Sequence, residues 1–151
     1  MSKLTNFQRT AQWLHACGKS PSVTSLSTQI GCHLEEIVEF LNCIELDSDS
    51  DRDSLSVLSE ELAYIASGIK KGLVLATIPG EAREAALDAI CDSEVTGNGV
   101  CYLAGFRKDE ADQAVMQAND DKLVDGKPVI LAGGKIGKPA GWKPADLSRF
   151  V

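Results

Sequence analysis

Apolar residues return along most of this chain at the spacing of one helical face, and the faces they mark predict five helices. Phe7, Ala11 and Leu14 recur at i, i+4 and i+7 with Trp13 and Cys17 beside them, while Gln8, Arg9, Gln12 and His15 take the wetter side. With Gly18 as a stop, this predicts a first helix from Asn6 to Ala16. A Pro- and Ser-rich connector, Ser20 to Ser25, leads to a second stripe of Ile30, Leu34, Ile37, Val38 and Leu41 that runs to about Leu46. The acidic run Asp47 to Asp53 reads as a loop before a third helix, marked by Leu55, Leu58, Leu62, Ile65, Ala66 and Ile69 and closed by Gly72. Pro79 and Gly80 restart the chain into a fourth helix from about Glu81 to Leu103, whose early acids Glu81 and Glu84 suit the positive end of a helix dipole. Gly97 and Gly99 within it would each cost roughly 1 kcal/mol relative to alanine, so close backbone contact with a neighbouring helix is expected there. A fifth helix is predicted from Asp109 to Asn119, followed by an arm of about 123–151 rich in Gly, Pro and Lys. Neither an internal repeat nor sustained β alternation is present, so the predicted fold is an all-α antiparallel helical bundle with an extended C-terminal arm.

Length and charge narrow the function. A chain of 151 residues suits one domain, 1–151, and its 44% apolar and 25% charged composition is that of a globular protein. A net charge of −7 without a Lys/Arg run excludes a partner gripped through its phosphates over a basic face, so no nucleic acid is expected. An acidic protein that handles phosphates needs divalent cations to cancel the repulsion. The five cysteines are odd in number and form no CxxC pair, and the two histidines, His15 and His33, are isolated, so neither a disulfide framework nor a zinc site is expected. Residues 1–8 show no signal-peptide pattern and no apolar run is long enough for a membrane span, which makes a reducing cytoplasm the expected location.

Two acidic stripes carry the candidate chemistry. Glu35, Glu36 and Glu39 fall within about a 100° arc of the second helix, and Glu81, Glu84, Asp88 and Asp92 follow one another at three, four and four residues along the fourth. Like charges so spaced oppose helix formation by a few tenths of a kcal/mol per pair, a cost that a cation between them would offset. Mg²⁺ accepts such hard oxygen ligands and bridges readily to phosphates. Taken singly, each stripe is also what a solvated helix face looks like, and for Glu81 and Glu84 the helix dipole suffices as an explanation.

These residues resemble the all-α nucleoside triphosphate pyrophosphohydrolase superfamily of MazG-like proteins, dimeric dUTPases and phosphoribosyl-ATP pyrophosphohydrolases, most closely its small phage and bacterial members. The resemblance covers the chain from about Phe7 to Leu147. Glu35-Glu36-Ile37-Val38-Glu39 matches the family's EExxE, and Leu87-Asp88-Ala89-Ile90-Cys91-Asp92 falls at its second acidic motif, usually ExxD. Ala89 stands where that Glu would be, and Asp88, one residue earlier, is the nearest acid upstream to take its place. The ordered run Asn119-Asp120-Asp121-Lys122, Asp125-Gly126-Lys127-Pro128, Gly134-Lys135, Gly137-Lys138 and Trp142 to Leu147 is similar to the tail of the phage-type members. The resemblance implies a MazG-like bundle that hydrolyses a (d)NTP, with dGTP or GTP the first choice, to the monophosphate and pyrophosphate. It implies Glu35, Glu36, Glu39 and Asp92 as catalytic residues, the same four with Asp88 as ligands of Mg²⁺ (Mn²⁺ as substitute), and Asn119, Lys122, Lys135 and Lys138 as substrate contacts. It further implies a homodimer or homotetramer, and for a phage-encoded chain a role in nucleotide pools of the host cytoplasm.

Glu60 and Glu61 do not supply the second motif, because Tyr64 stands where its Asp is needed, and that helix is expected to serve packing. Gly133-Gly134 lacks the frame of a P-loop. Trp142 is expected to pack the arm rather than to stack on a base. The alternative from a different class is a non-catalytic module whose acidic helices bind a basic partner, as a regulator would.

Overall fold

The computed structural model describes residues 4–130 and 136–151, and every element among them except one two-residue hairpin is helical. The helices are α1 (Asn6–Ala16), α2 (Val23–Leu41), α3 (Asp49–Lys70), α4 (Arg83–Leu103) and α5 (Lys108–Asp120), with single 3₁₀ turns at Gly80–Ala82 and Ser148–Phe150. The class is all-α, as expected. The chain divides into two compact units, one of Pro21–Glu81 and one of Met1–Ser20 with Ala82–Val151.

Hydroxyl caps set the starts of the first three helices. Thr5 and Gln8 form a capping box, Ser22 Oγ accepts from the Ser25 N–H at 3.1 Å, and Ser48 Oγ accepts from the Asp51 N–H at 3.4 Å. These caps correct two predicted boundaries. Because Ser22 is a cap, α2 begins inside the expected Ser20–Ser25 connector, and it ends at Leu41 rather than Leu46. The run Asp47–Asp53 is mostly helix, since Ser48 opens α3 and Asp49 and Asp51 then sit in a first turn that favours negative charge.

In the first unit α2 and α3 pack against each other. Asn42 Oδ1 accepts from Ser59 Oγ at 2.7 Å near one end, and Gly31 lies against Ala66, Ile69 and Lys70 near the other, so the two helices run antiparallel. Their most buried residues are Ser27, Gly31 and Val38 on α2 and Ser59, Ala66 and Ile69 on α3. Small residues let the backbones approach: a Cβ on Gly31 would lie 3.1 Å from the Ala66 carbonyl oxygen. The predicted stripe of α3 is turned accordingly, with Leu58 and Ile65 exposed and Ser59 facing inward. After α3, the Ala76 N–H donates to the buried Ser27 Oγ at 3.0 Å and ties the following segment to α2.

In the second unit α1 and α5 run parallel. Asn6 reaches Asp112, Thr10 reaches Met116 and the Trp13 N–H reaches the Asn119 carbonyl, each pair 106 residues apart in sequence. The contact face of α1 is therefore Asn6, Thr10, Trp13 and Cys17, and Phe7, expected inside, is 81% exposed. Arg9 adds a pair with Asp120 at 3.0 Å.

Past α5, two short strands, β1 (Leu123–Val124) and β2 (Lys127–Pro128), pair antiparallel around Asp125 and Gly126, whose φ values of 51° and 72° suit a tight hairpin turn. Ile130 and Ile136 then bridge antiparallel, and the Gly137 N–H donates to the Val129 carbonyl at 2.6 Å. The arm returns along α5. Trp142 donates to the Ala118 carbonyl at 2.7 Å at the end of that helix, and the Phe150 carbonyl accepts from the Arg107 N–H at 2.9 Å at its start. Phe150 is buried, with the Arg107 and Arg149 guanidinium groups 5.6 and 4.7 Å from its ring centre. α4 has no buried residue, and nothing lies within 4 Å of a Cβ placed on Gly97 or Gly99. The close helix contact expected at those glycines is absent among the described residues; the tight glycine is Gly31.

Candidate functional site

The acidic candidates occupy two helices in two units. On α2, Glu36 and Glu39 lie exposed and one turn apart, while Glu35 is half-buried and forms an ion pair with Lys70 of α3. The first carboxylate of the EExxE run thus joins two helices. Cys43 donates its thiol to the Glu39 carbonyl at 3.3 Å and fixes the last turn beneath that acid. On α4, Asp88 and Asp92 are exposed at i, i+4, as the spacing predicted. Among the described residues no three His, Cys, Asp or Glu side chains form a group able to hold a metal ion. The donor set on α2 nevertheless suits Mg²⁺, which keeps several waters and is often held by only one or two carboxylates together with substrate phosphates.

The polar tail candidates are brought together. Asn119 closes α5, and Lys122 one turn later donates from Nζ to Asn119 Oδ1 at 2.8 Å. The same ammonium lies 5.8 Å from the centre of the Trp13 ring and 5.1 Å from that of Trp142. Lys138 Nζ lies 4.7 Å from the Trp142 ring. Two cations therefore share one indole in a protein of net charge −7. Lys135 lies outside the described residues, as do Gly133 and Gly134.

The position of the two indoles follows from their hydrogen bonds. Each N–H takes a carbonyl in the last turn of α5, Trp142 that of Ala118 and Trp13 that of Asn119, which also accepts from the Lys122 N–H at 3.1 Å. Both rings then lie beside the turn that carries Lys122. Cys17 is buried one helical turn beyond Trp13, and burial pushes its thiol pKa up, with Lys19 and Lys122 opposing that shift. Trp142 packs the arm, as expected, and its ring also faces two ammonium groups.

Two open cavities elsewhere in this unit are lined by other residues than the predicted ones. One of about 460 Å³ is lined by Arg107, Glu110, Gln113, Ala114, Arg149 and Phe150, and Arg107 there donates to Glu110, whose pKa is held low by that hydrogen bond.

Sequence reasoning passed over Trp13, reading it as the flank of an apolar stripe. Its partner, 106 residues away, gave no local signal; only two tryptophans in a chain this long hinted that both might have assigned places. No family model, curated protein or solved structure matches the chain.

Proposed function

We propose that the protein is a metal-dependent nucleoside triphosphate pyrophosphohydrolase of the MazG-like type, active as a homodimer or homotetramer and converting a (d)NTP, with dGTP or GTP the first choice, to monophosphate and pyrophosphate. The observation that carries this reading is the meeting of Asn119, Lys122 and Lys138 at the end of α5. These residues come from a helix end and an arm, and they are three of the four that the resemblance assigns to substrate contact.

In this mechanism Glu35, Glu36 and Glu39 of α2 would hold Mg²⁺ or Mn²⁺, Glu35 while also paired with Lys70. Asp88 and Asp92 are the second set of carboxylates that the resemblance assigns to the metal. When bound, the ion neutralises the triphosphate and polarises the linkage that is cut. The chain itself orients and moves a proton. Lys122 and Lys138 offer ammonium groups to phosphate oxygens, Asn119 offers its amide N–H, and a carboxylate of α2 takes the proton of the water that attacks the α-phosphorus. The bond to the bridging oxygen breaks and pyrophosphate leaves.

The test is product analysis with the four dNTPs, dUTP and GTP in Mg²⁺ or Mn²⁺. Monophosphate and pyrophosphate are expected from one or a few of them. Glu36→Gln and Glu39→Gln should each lose most of that activity, at least tenfold, with circular dichroism unchanged; full activity in both would remove the site assignment. The second reading, a non-catalytic acidic module for a basic partner, draws on the exposed carboxylates Glu36, Glu39, Asp88 and Asp92. Thermal melting separates the two, because a metal enzyme gains stability by mass action in millimolar Mg²⁺ and a module of that kind does not.

A further inference from the structure

Lysine is a poor choice for a fixed anion contact, since its ammonium rides on a flexible four-carbon stem. Lys122 is held from several sides. Asn119 Oδ1 accepts from its Nζ at 2.8 Å, and the Trp13 and Trp142 rings face the same nitrogen. Trp13 does two things at once. Its N–H holds the backbone carbonyl of Asn119 at 2.8 Å, and its ring lies against the Lys122 ammonium at 5.8 Å. The helix that carries it is itself fixed on α5 by Asn6–Asp112 at 3.0 Å and Arg9–Asp120 at 3.0 Å, so the indole is not free to drift.

We propose that Trp13 is a positioning residue for substrate binding, acting through the Asn119–Lys122 pair and touching no reacting atom. The inference rests on the hydrolase reading above. A merely structural tryptophan would lower stability when replaced; a positioning one changes the affinity of the pair it holds. Trp13→Phe keeps a ring face and loses the N–H, whereas Lys122→Met keeps the stem and loses the charge.

The experiment is a double-variant cycle on the full chain, with steady-state kinetics on whichever triphosphate the wild type turns over. Trp13→Phe is expected to raise KM by about 5- to 30-fold with kcat within about twofold, the scale of a lost hydrogen bond and a weakened cation–π contact. Lys122→Met should cost at least as much, and the double variant should cost no more than Lys122→Met alone. A folded Trp13→Phe with unchanged KM, or costs that multiply in the double variant, would overturn the proposal. If Trp13→Phe does not fold, Trp142→Phe leaves Trp13 as the only indole in a chain that has two. Its emission should then change saturably with inorganic tripolyphosphate, and no change at a concentration that inhibits turnover by that variant would equally overturn it. A wild type that turns over no triphosphate removes the hydrolase reading first, and this inference with it.

Discussion

Cys17 shows what a single residue's surroundings do to its chemistry. It is 4% exposed, and burial raises its thiol pKa because the charged thiolate loses its hydration. At neutral pH it should be alkylated last, well after the exposed Cys43 and Cys91, as peptide mapping of a timed iodoacetamide reaction would show. The pH dependence follows from the direction of the shift. A group whose folded value is raised contributes stability that is complete below its unfolded value and is lost as pH rises through the folded one. Stability should therefore fall on the alkaline side, above about the ordinary thiol value of 9.0, and Cys17→Ser should flatten that limb in denaturant titrations. Asp146 has the opposite sign: hydrogen bonding to Ser148 lowers its pKa, so its carboxylate goes on accepting from the Ser148 N–H at neutral pH and that bond weakens only on acidification.

Between elements, contact is decided by side-chain size and polarity, and this explains which parts of the fold were legible in the sequence. The extents of α1, α4 and α5 followed closely from periodicity and stop signals. The inward faces of α1 and α3 followed only in part: Ala66 and Ile69 are buried as the stripe of α3 had them, whereas Ser59 on α3 and Asn6 and Thr10 on α1 make contacts that no apolar pattern marks. A hydrophobic stripe cannot announce a seam of polar and small residues. The hairpin at Asp125-Gly126 escaped for another reason: strands of two residues are too short to alternate, although the Asp-Gly pair was itself a turn signal. Of the candidate site, the acidic stripes were readable from spacing, whereas the Trp13–Lys122–Trp142 cluster depends on contacts across more than a hundred residues and was not. Glycine gives the sharpest test at this scale. Gly31→Ala should destabilise the protein by about 1–2 kcal/mol, because a new Cβ meets backbone at Ala66 and that overpacking exceeds the gain in helix propensity. Gly97→Ala, with open space around it, should instead stabilise by up to about 1 kcal/mol. Paired thermal melts would show the opposite signs.

For the molecule as a whole, the carboxylates of α2 belong to one compact unit and the lysines at the end of α5 to the other. Among the helices that carry candidate residues, α4 is held the least. Its 21 residues include none that is buried, its N-cap Ala82 offers no side-chain hydrogen bond, and two glycines interrupt it. α2 has a serine cap and a packed partner. Helical order in α4 therefore rests largely on propensity, whereas most helical stability in proteins comes from packing of an apolar face. Its backbone amides should exchange with deuterium sooner than those of α2 and α3, as mass spectrometry of peptides from 83–103 would reveal. Because Asp88 and Asp92 stand on this helix, anything that binds them must also bear the entropy of keeping it wound. Association there would carry a large favourable enthalpy set against an ordering cost, and occupancy would be visible as slowed exchange before any product is measured.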